Sequence, residues 1–143
     1  MNGFQKVLCA LALIFSLNVQ AADEIRFDKL GFYRVKGISP EVHLGNPLRN
    51  AEEVIKAYKA EPQGTSVLAF PELNITGYSV KDLFLNEELL DLSRLALTNI
   101  VEATFERNTE KPTSLVIVGA PYSTPDGRLF NVAFVIYKGK VVG

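Results

Sequence analysis

The chain has 143 residues, a formal net charge of −1 and 48% hydrophobic residues. This length fits one modest domain, and the hydrophobic content is high enough to bury a core, which excludes a disordered tail. A net charge so close to zero creates no field that would attract nucleic acid or an acidic membrane, so we expect neither as a partner.

The first 21 residues have the pattern of a secretory leader. Lys6 precedes an uncharged apolar run, Val7–Leu17, and Val19-Gln20-Ala21 supplies a small-residue cleavage signal. The apolar run is shorter than the roughly 20 residues that a membrane-spanning helix needs. We therefore predict a leader over residues 1–21, cleavage after Ala21, and an exported or periplasmic protein without membrane contact after cleavage. An uncleaved anchor, or an apolar extension from a misassigned start codon, is the alternative.

Cysteine chemistry depends on this leader. Cys9 is the only cysteine in the sequence and lies inside the apolar run, too early for a lipoprotein attachment site. Cleavage would leave residues 22–143 without a thiol. We therefore expect neither disulfides nor a cysteine metal site in the mature chain.

Residues 22–143 are predicted to form one domain in which strands and helices alternate. Gly31–Ser39 is rich in aromatic and β-branched residues, which is typical of a strand. Asn46-Pro47 predicts a helix start, because asparagine caps helices and proline is tolerated at the first helical position. Apolar residues at helical spacing follow, and Glu61-Pro62-Gln63-Gly64 is expected to end that helix.

The second half of the chain continues the alternation. The predicted segments, in chain order, are a strand buried on both faces at Thr65–Phe70, a helix beginning at Asn86-Glu87-Glu88, a strand at Ser114–Ala120, a turn at Pro121–Arg128, a strand at Leu129–Tyr137 and a hairpin turn at Lys138–Lys140. This order predicts an α/β layered sheet. Val141-Val142-Gly143 begins the return strand of the hairpin, so we expect the sheet to be part of something larger.

Glu72 is the residue whose position most favours chemistry. It directly follows the apolar Thr65–Phe70 strand, and parallel α/β sheets place their active groups at the carboxyl ends of strands. A carboxylate held among Phe70, Leu73 and Ile75 would be partly shielded from water, which makes it a better base near neutral pH. The alternative is an ordinary strand-end acid that faces solvent.

The residues around Glu72 resemble a known motif. Phe70-Pro71-Glu72-Leu73 followed by Thr76-Gly77-Tyr78 is similar to the glutamate motif of the nitrilase (carbon–nitrogen hydrolase) superfamily. The longer string FPELNITGYSVKDLF resembles one branch, the N-terminal glutaminase domain of glutamine-dependent NAD synthetases, and Asp82-Leu83-Phe84 favours that branch. Three further stretches agree with this resemblance in order and spacing: Gly31–Pro47, the helix start at Asn50, and Val118–Gly143.

The resemblance implies an α/β fold, a nitrilase-like α-β-β-α layered sandwich of which only the N-terminal half is present. It implies glutamine as the substrate, a cysteine thiolate as nucleophile, a glutamate as general base and a lysine that stabilises the tetrahedral intermediate. Glu72 takes the role of the base. Lys138 and Lys140 are hairpin lysines and are not assigned the lysine role. The family is cytoplasmic, which conflicts with the predicted leader.

No cofactor is expected in these residues. In the family, ATP and Mg act in a separate C-terminal domain that uses the released ammonia to amidate nicotinic acid adenine dinucleotide. No Gly-rich phosphate loop occurs in the sequence.

Several other polar residues are weaker candidates. We expect a solvated loop histidine at His43, a solvated helix approach at Lys81 and Asp82, and no partner base for Ser79 or Ser123. Tyr78 could line a pocket or pack over its turn, and Asp82 could anchor the Glu72 loop. Pairing Glu72 with Asp82 for glycosidase chemistry has no supporting spacing.

Three functional hypotheses follow. The first is the front half of a glutaminase domain, inactive alone because the lysine and cysteine are missing. The second is an exported module without enzymatic activity. The third is half of a general nitrilase-type amidase, completed by a separate polypeptide. The partner could be a second copy in a homo-oligomer or the missing C-terminal half.

Overall fold

The computed structural model describes residues 30–61, 64–106 and 114–143; the predicted leader lies outside them. The described elements, in chain order, are β1 (Arg34–Gly37), α1 (Pro47–Ala60), β2 (Thr65–Ala69), a 3₁₀ segment (Tyr78–Leu85), α2 (Glu87–Glu106), β3 (Leu115–Ser123), β4 (Leu129–Tyr137) and β5 (Lys140–Val141). These strands form one sheet in the order β1-β2-β3-β4-β5. The first three strands run parallel, and β4 and β5 run antiparallel to their neighbours.

Both helices begin where the sequence predicts. The Asn46 side-chain oxygen accepts a hydrogen bond from the Arg49 N–H at 3.2 Å, and Pro47 is the first residue of α1. The Asn86 side-chain oxygen accepts from the Leu89 N–H at 3.1 Å, and two glutamates follow in the first turn of α2. Each cap satisfies a backbone donor that has no partner within its helix.

The core lies between the two helices and one face of the sheet. Alternate residues of a strand point to opposite faces, and register partners on neighbouring strands share a face. Leu68, Val116, Val118 and Ile136 are aligned in this way and are fully buried against both helices. The residues of α1 and α2 that complete this core are Ala51, Val54, Tyr58, Ala96, Leu97 and Ile100.

The opposite face of the sheet, which we call the open face, includes Val35, Val67, Ile117 and Val135. Val35 is 64% exposed and the other three are half-buried. The prediction that β2 is buried on both faces is therefore wrong for the described residues, because the helices cover one face only. One helical layer and one sheet correspond to part of a four-layer α-β-β-α sandwich, as predicted.

The predicted turn at Pro121–Arg128 is too long. β3 continues to Ser123, and its pairing with β4 includes Pro121 opposite Asn131 and Ser123 opposite Leu129. β2 pairs with β3 only as far as Ile117. Beyond that point no described strand lies along this edge of β3, so a proline without an N–H donor is tolerated at Pro121. The predicted strand at Leu129–Tyr137 is confirmed. Lys138 and Gly139 both have positive φ, which is typical of a tight hairpin turn.

Candidate functional site

Glu72 lies at the carboxyl end of β2, as predicted. Phe70 continues the strand by donating its N–H to the Ile117 carbonyl at 2.8 Å, and the chain then turns back on itself. The Asn74 and Gly77 N–H groups donate to the Pro71 and Leu73 carbonyls at 3.3 and 2.8 Å. These bonds close a compact loop, residues 71–77, which we call the glutamate loop.

The glutamate loop crosses the open face of β3 at Gly119. A Cβ atom at Gly119 would lie 2.5 Å from the Leu73 nitrogen and 2.7 Å from the Pro71 oxygen, closer than real Cβ contacts come. The Gly119 carbonyl accepts a hydrogen bond from the Ile75 N–H at 3.2 Å. The backbone conformation of Gly119 is one that other residues also adopt, so it does not explain the glycine. Glycine is required here because the two backbones approach too closely for a Cβ atom.

Asn50 holds the other side of the glutamate loop. Its buried amide nitrogen donates to the carbonyls of His43 and Ile75 at 2.9 and 2.8 Å, and its oxygen accepts from the His43 N–H at 2.7 Å. The first turn of α1 is thereby tied to two loops at once. This structural role was not predicted, although an asparagine among the buried positions of an amphipathic helix is a signal for one.

Glu72 is exposed in the described structure. Its side chain lines a cleft of about 370 Å³ together with Phe70, Pro71, Gly119, Asn131, Val132 and Ala133. The prediction that Phe70, Leu73 and Ile75 shield the carboxylate is wrong. Those three side chains are themselves buried, whereas the Glu72 side chain remains exposed.

Asn131 is the direct partner of Glu72. Its Nδ2 atom donates a hydrogen bond to Oε1 of the carboxylate, across 59 positions of sequence. Asn131 also borders a second, smaller cleft of about 240 Å³, whose remaining lining residues are Leu73, Phe84, Pro121, Leu129 and Phe130. The site therefore combines a carboxylate, an amide donor and an adjoining apolar wall. Sequence reasoning did not find Asn131, because nothing local to it indicates which strand will lie opposite.

Comparison with known proteins identifies the relatives of the chain. The glutamine-dependent NAD(+) synthetase of Mycobacterium bovis is 33% identical over 114 residues, which is 79% of this chain but 16% of that enzyme. The solved glutamine-dependent NAD+ synthetase from Acinetobacter baumannii matches with a TM-score of 0.63 and 28% identity, over 72% of this chain and 18% of that one. The chain is a homologue of glutamine-dependent NAD synthetases. It spans less than a fifth of the length of either enzyme.

A second solved structure shows that this chain has part of a nitrilase-type fold. The NitN amidase from Nesterenkonia sp. AN1 matches with a TM-score of 0.58 at 20% identity, covering 78% of this chain and 42% of that one. At this identity the match concerns the fold alone. No protein-family model matches the chain. The predicted resemblance and the partial nitrilase fold are thus confirmed.

The other candidate residues of this chain do not line the Glu72 cleft. Tyr78 is 70% exposed, and Lys81 and Asp82 are exposed on the 3₁₀ segment. His43 is half-buried, and its Nε2 atom accepts from Arg49 Nε at 3.4 Å. Within the described residues the glutamate loop is held through Asn50 and Gly119. Asp82 contributes no hydrogen bond to it there.

The remaining candidates do not line the Glu72 cleft either. Ser79 is exposed, and Ser123 lines a separate cleft with Asp91 and Arg94. Lys138 lies in the hairpin turn with its ammonium 5.3 Å from the centre of the Tyr137 ring, and Lys140 begins β5.

Residues 30–61, 64–106 and 114–143 contain no group of three or more histidine, cysteine, aspartate or glutamate side chains that could hold a metal ion. Neither described helix combines the length and the apolar character required to cross a membrane.

Proposed function

We propose that this chain supplies the glutamate-bearing part of a glutaminase domain, in which Glu72 is the general base for hydrolysis of the glutamine side-chain amide. The observation that carries the proposal is the position of Glu72 at the carboxyl end of β2, in a cleft, within a segment homologous to glutamine-dependent NAD synthetases. A base in this role takes a proton from the nucleophile and later returns it to the departing ammonia.

The proposal requires groups from further polypeptide. Cys9 is the only cysteine in the sequence, and it falls in the predicted leader. Lys138 and Lys140 lie at the β4–β5 hairpin rather than at the Glu72 cleft. In the proposed reaction, residues outside this sequence supply the cysteine nucleophile and the lysine. ATP and Mg act in a separate domain, and the chain alone is inactive.

The open face supports this arrangement. An apolar sheet face whose side chains are half-buried or exposed, as those of the open face are, is a typical site for a further layer of structure. A second sheet packed there would also lie over Glu72 and exclude water, which strengthens electrostatic interactions at the carboxylate. The shielding that the described residues do not provide would then come from the added layer.

The experiment is reconstitution in two parts. The full chain is mixed with a complementing polypeptide, the part of the Acinetobacter baumannii glutaminase domain that follows the segment matched by this chain. We expect ammonia release from glutamine by the mixture and none from either part alone. Glu72→Gln should lower the rate by about 10²-fold or more, the typical contribution of a general base. Asp82→Asn, an equally small change at an exposed acid, is the matched control.

Each other result is informative. Binding of the two parts without ammonia release, or no binding at all, would contradict the proposal. Release that Glu72→Gln does not affect would remove Glu72 from the reaction. Release from a simple aliphatic amide but not from glutamine would favour a general nitrilase-type amidase, and release by the chain alone would refute its predicted inactivity.

A further inference from the structure

We propose that Asn131 is a positioning residue for Glu72, and that its amide determines which carboxylate oxygen carries the proton. The inference rests on the proposed function, since it concerns the same base. It adds a residue that the sequence motif around Glu72 does not contain.

The register of β3 and β4 places Asn131 beside Glu72. Gly119 is opposite Ala133 and Pro121 is opposite Asn131, so all four residues share the open face. Gly119 and Ala133 have little or no side chain, and the glutamate loop occupies the space above Gly119. Asn131 lies two positions before Ala133 on β4, and its side chain reaches Oε1 of Glu72. A shift of one residue in the pairing would move Asn131 to the helix-covered face.

The hydrogen bond between Asn131 and Glu72 can run in one direction only, from the amide to the carboxylate. A carboxylate can only accept hydrogen bonds, so the amide atom facing it must be the Nδ2 donor. A donor at Oε1 stabilises negative charge there and favours the carbonyl form of that oxygen once the group is protonated, because a hydroxyl oxygen is the weaker acceptor. The proton is thereby directed to Oε2.

Holding one oxygen also fixes the orientation of the other. A glutamate side chain at an exposed site has several rotamers, and most of them would not direct Oε2 towards a reacting atom. The bond from Asn131 selects one orientation before substrate binds. Such preorganisation acts on the rate of the proton transfer rather than on substrate affinity.

The first experiment tests the contact in the full chain alone. The Asn131 side-chain amide signals are assigned in a ¹⁵N–¹H spectrum by their loss in Asn131→Asp. We expect Glu72→Gln to shift both amide proton signals, because it replaces a charged acceptor by a neutral one. Asp82→Asn should leave them unchanged. Amide signals that do not respond to Glu72→Gln would overturn the inference.

The second experiment tests the role in the two-part mixture. We expect Asn131→Leu to lower kcat about tenfold to hundredfold with KM nearly unchanged, the pattern of a misplaced base. Asn131→Gln retains a donor on a longer side chain and should recover most of the lost rate. Lys56→Leu makes a similar polar-to-apolar change at an exposed position of α1, which packs against the opposite face, and should leave kcat unchanged.

A purely structural role predicts a different pattern. It would lower the melting temperature of Asn131→Leu and alter kcat and KM together, without recovery by Asn131→Gln, and that result would refute the inference. Equal kcat values for all Asn131 variants in an active mixture would refute it as well. An inactive unmodified mixture would instead mark failure of the proposed function, whatever the spectra of the chain show.

Discussion

Gly119 determines where the glutamate loop can lie, because a side chain there would occupy the loop's own backbone. Gly119→Ala should destabilise the chain by about 3 kcal/mol, the upper part of the range for overpacking, since backbone atoms cannot move aside as a flexible side chain can. Chemical denaturation gives the free energy of unfolding. The same substitution at Gly37 meets no atom within 4 Å and is the matched control. We expect it to be neutral or to stabilise by about 0.5–1 kcal/mol. Equal effects at the two glycines would show that the loop does not cross β3 at Gly119.

At this scale the sequence predicts the position of Glu72 but not the residues that hold its loop and contact its side chain. Glu72 could be found because a breaker and an acid follow a continuous apolar strand. Asn50, Gly119 and Asn131 could not, because their roles depend on contacts between segments that are far apart in sequence. The shielding of Glu72 was predicted wrongly for a related reason. Nearby apolar residues indicate a buried loop, but they do not show whether another layer covers the carboxylate.

At the scale of elements, Glu61 joins the end of α1 to two strands. Its buried carboxylate accepts hydrogen bonds from Lys36 of β1 and Thr65 of β2, both at 2.8 Å. Burial raises the pKa of Glu61, but these two hydrogen bonds and the positive charges of Lys36 and Arg34 outweigh it and leave the pKa below its ordinary value of 4.5. The ionised form is thus the one that the fold stabilises.

The lowered pKa of Glu61 predicts how stability depends on pH. A carboxyl whose pKa is lower in the folded state contributes stability that is complete above its unfolded pKa and is lost as pH falls through its folded pKa. Glu61→Gln should cost about 1.5–3 kcal/mol at neutral pH, the range for hydrogen bonds to a charged group. The difference between this variant and the unmodified chain should narrow below pH 4.5.

Denaturation of Glu61→Gln and of the unmodified chain across the acidic pH range measures how the difference in their unfolding free energies narrows. Glu53→Gln removes a surface contact with Lys56 at 3.5 Å and should change stability by less than about 1 kcal/mol at any pH. A constant difference for Glu61→Gln from neutral to acidic pH would mean that ionisation of Glu61 does not stabilise the fold.

The elements themselves were largely predictable, because caps and apolar periodicity are local signals. Asn46 and Asn86 cap their helices as predicted, and the Leu129–Tyr137 strand has the predicted bounds. The end of β3 was missed because Pro121 and the polar residues after it favour a turn. Pairing with β4 continues the strand instead, since proline is tolerated where β2 no longer runs alongside.

At the scale of the whole molecule, the helices that the structure describes pack against one face of the apolar sheet only. We expect the chain alone to be marginally stable and the complementing polypeptide to stabilise it by covering the open face. A partner that binds only the folded chain adds about 2.7 kcal/mol at a concentration 100 times its dissociation constant. The midpoint of urea denaturation should therefore rise with the concentration of the complementing polypeptide.

Two substitutions test where this stabilisation arises. Val35→Lys places a charge on the open face at a side chain that is already 64% exposed, so it should change the stability of the chain alone very little. It should abolish the gain in denaturation midpoint that the complementing polypeptide gives, because the charge would be buried at the contact. Leu95→Lys makes the same kind of change on α2, at a side chain 49% exposed, and should preserve the gain because α2 packs against the opposite face. A gain abolished by Leu95→Lys but not by Val35→Lys would place the partner on the helices. A chain that melts cooperatively far above physiological temperature on its own would show that the fold needs no second layer.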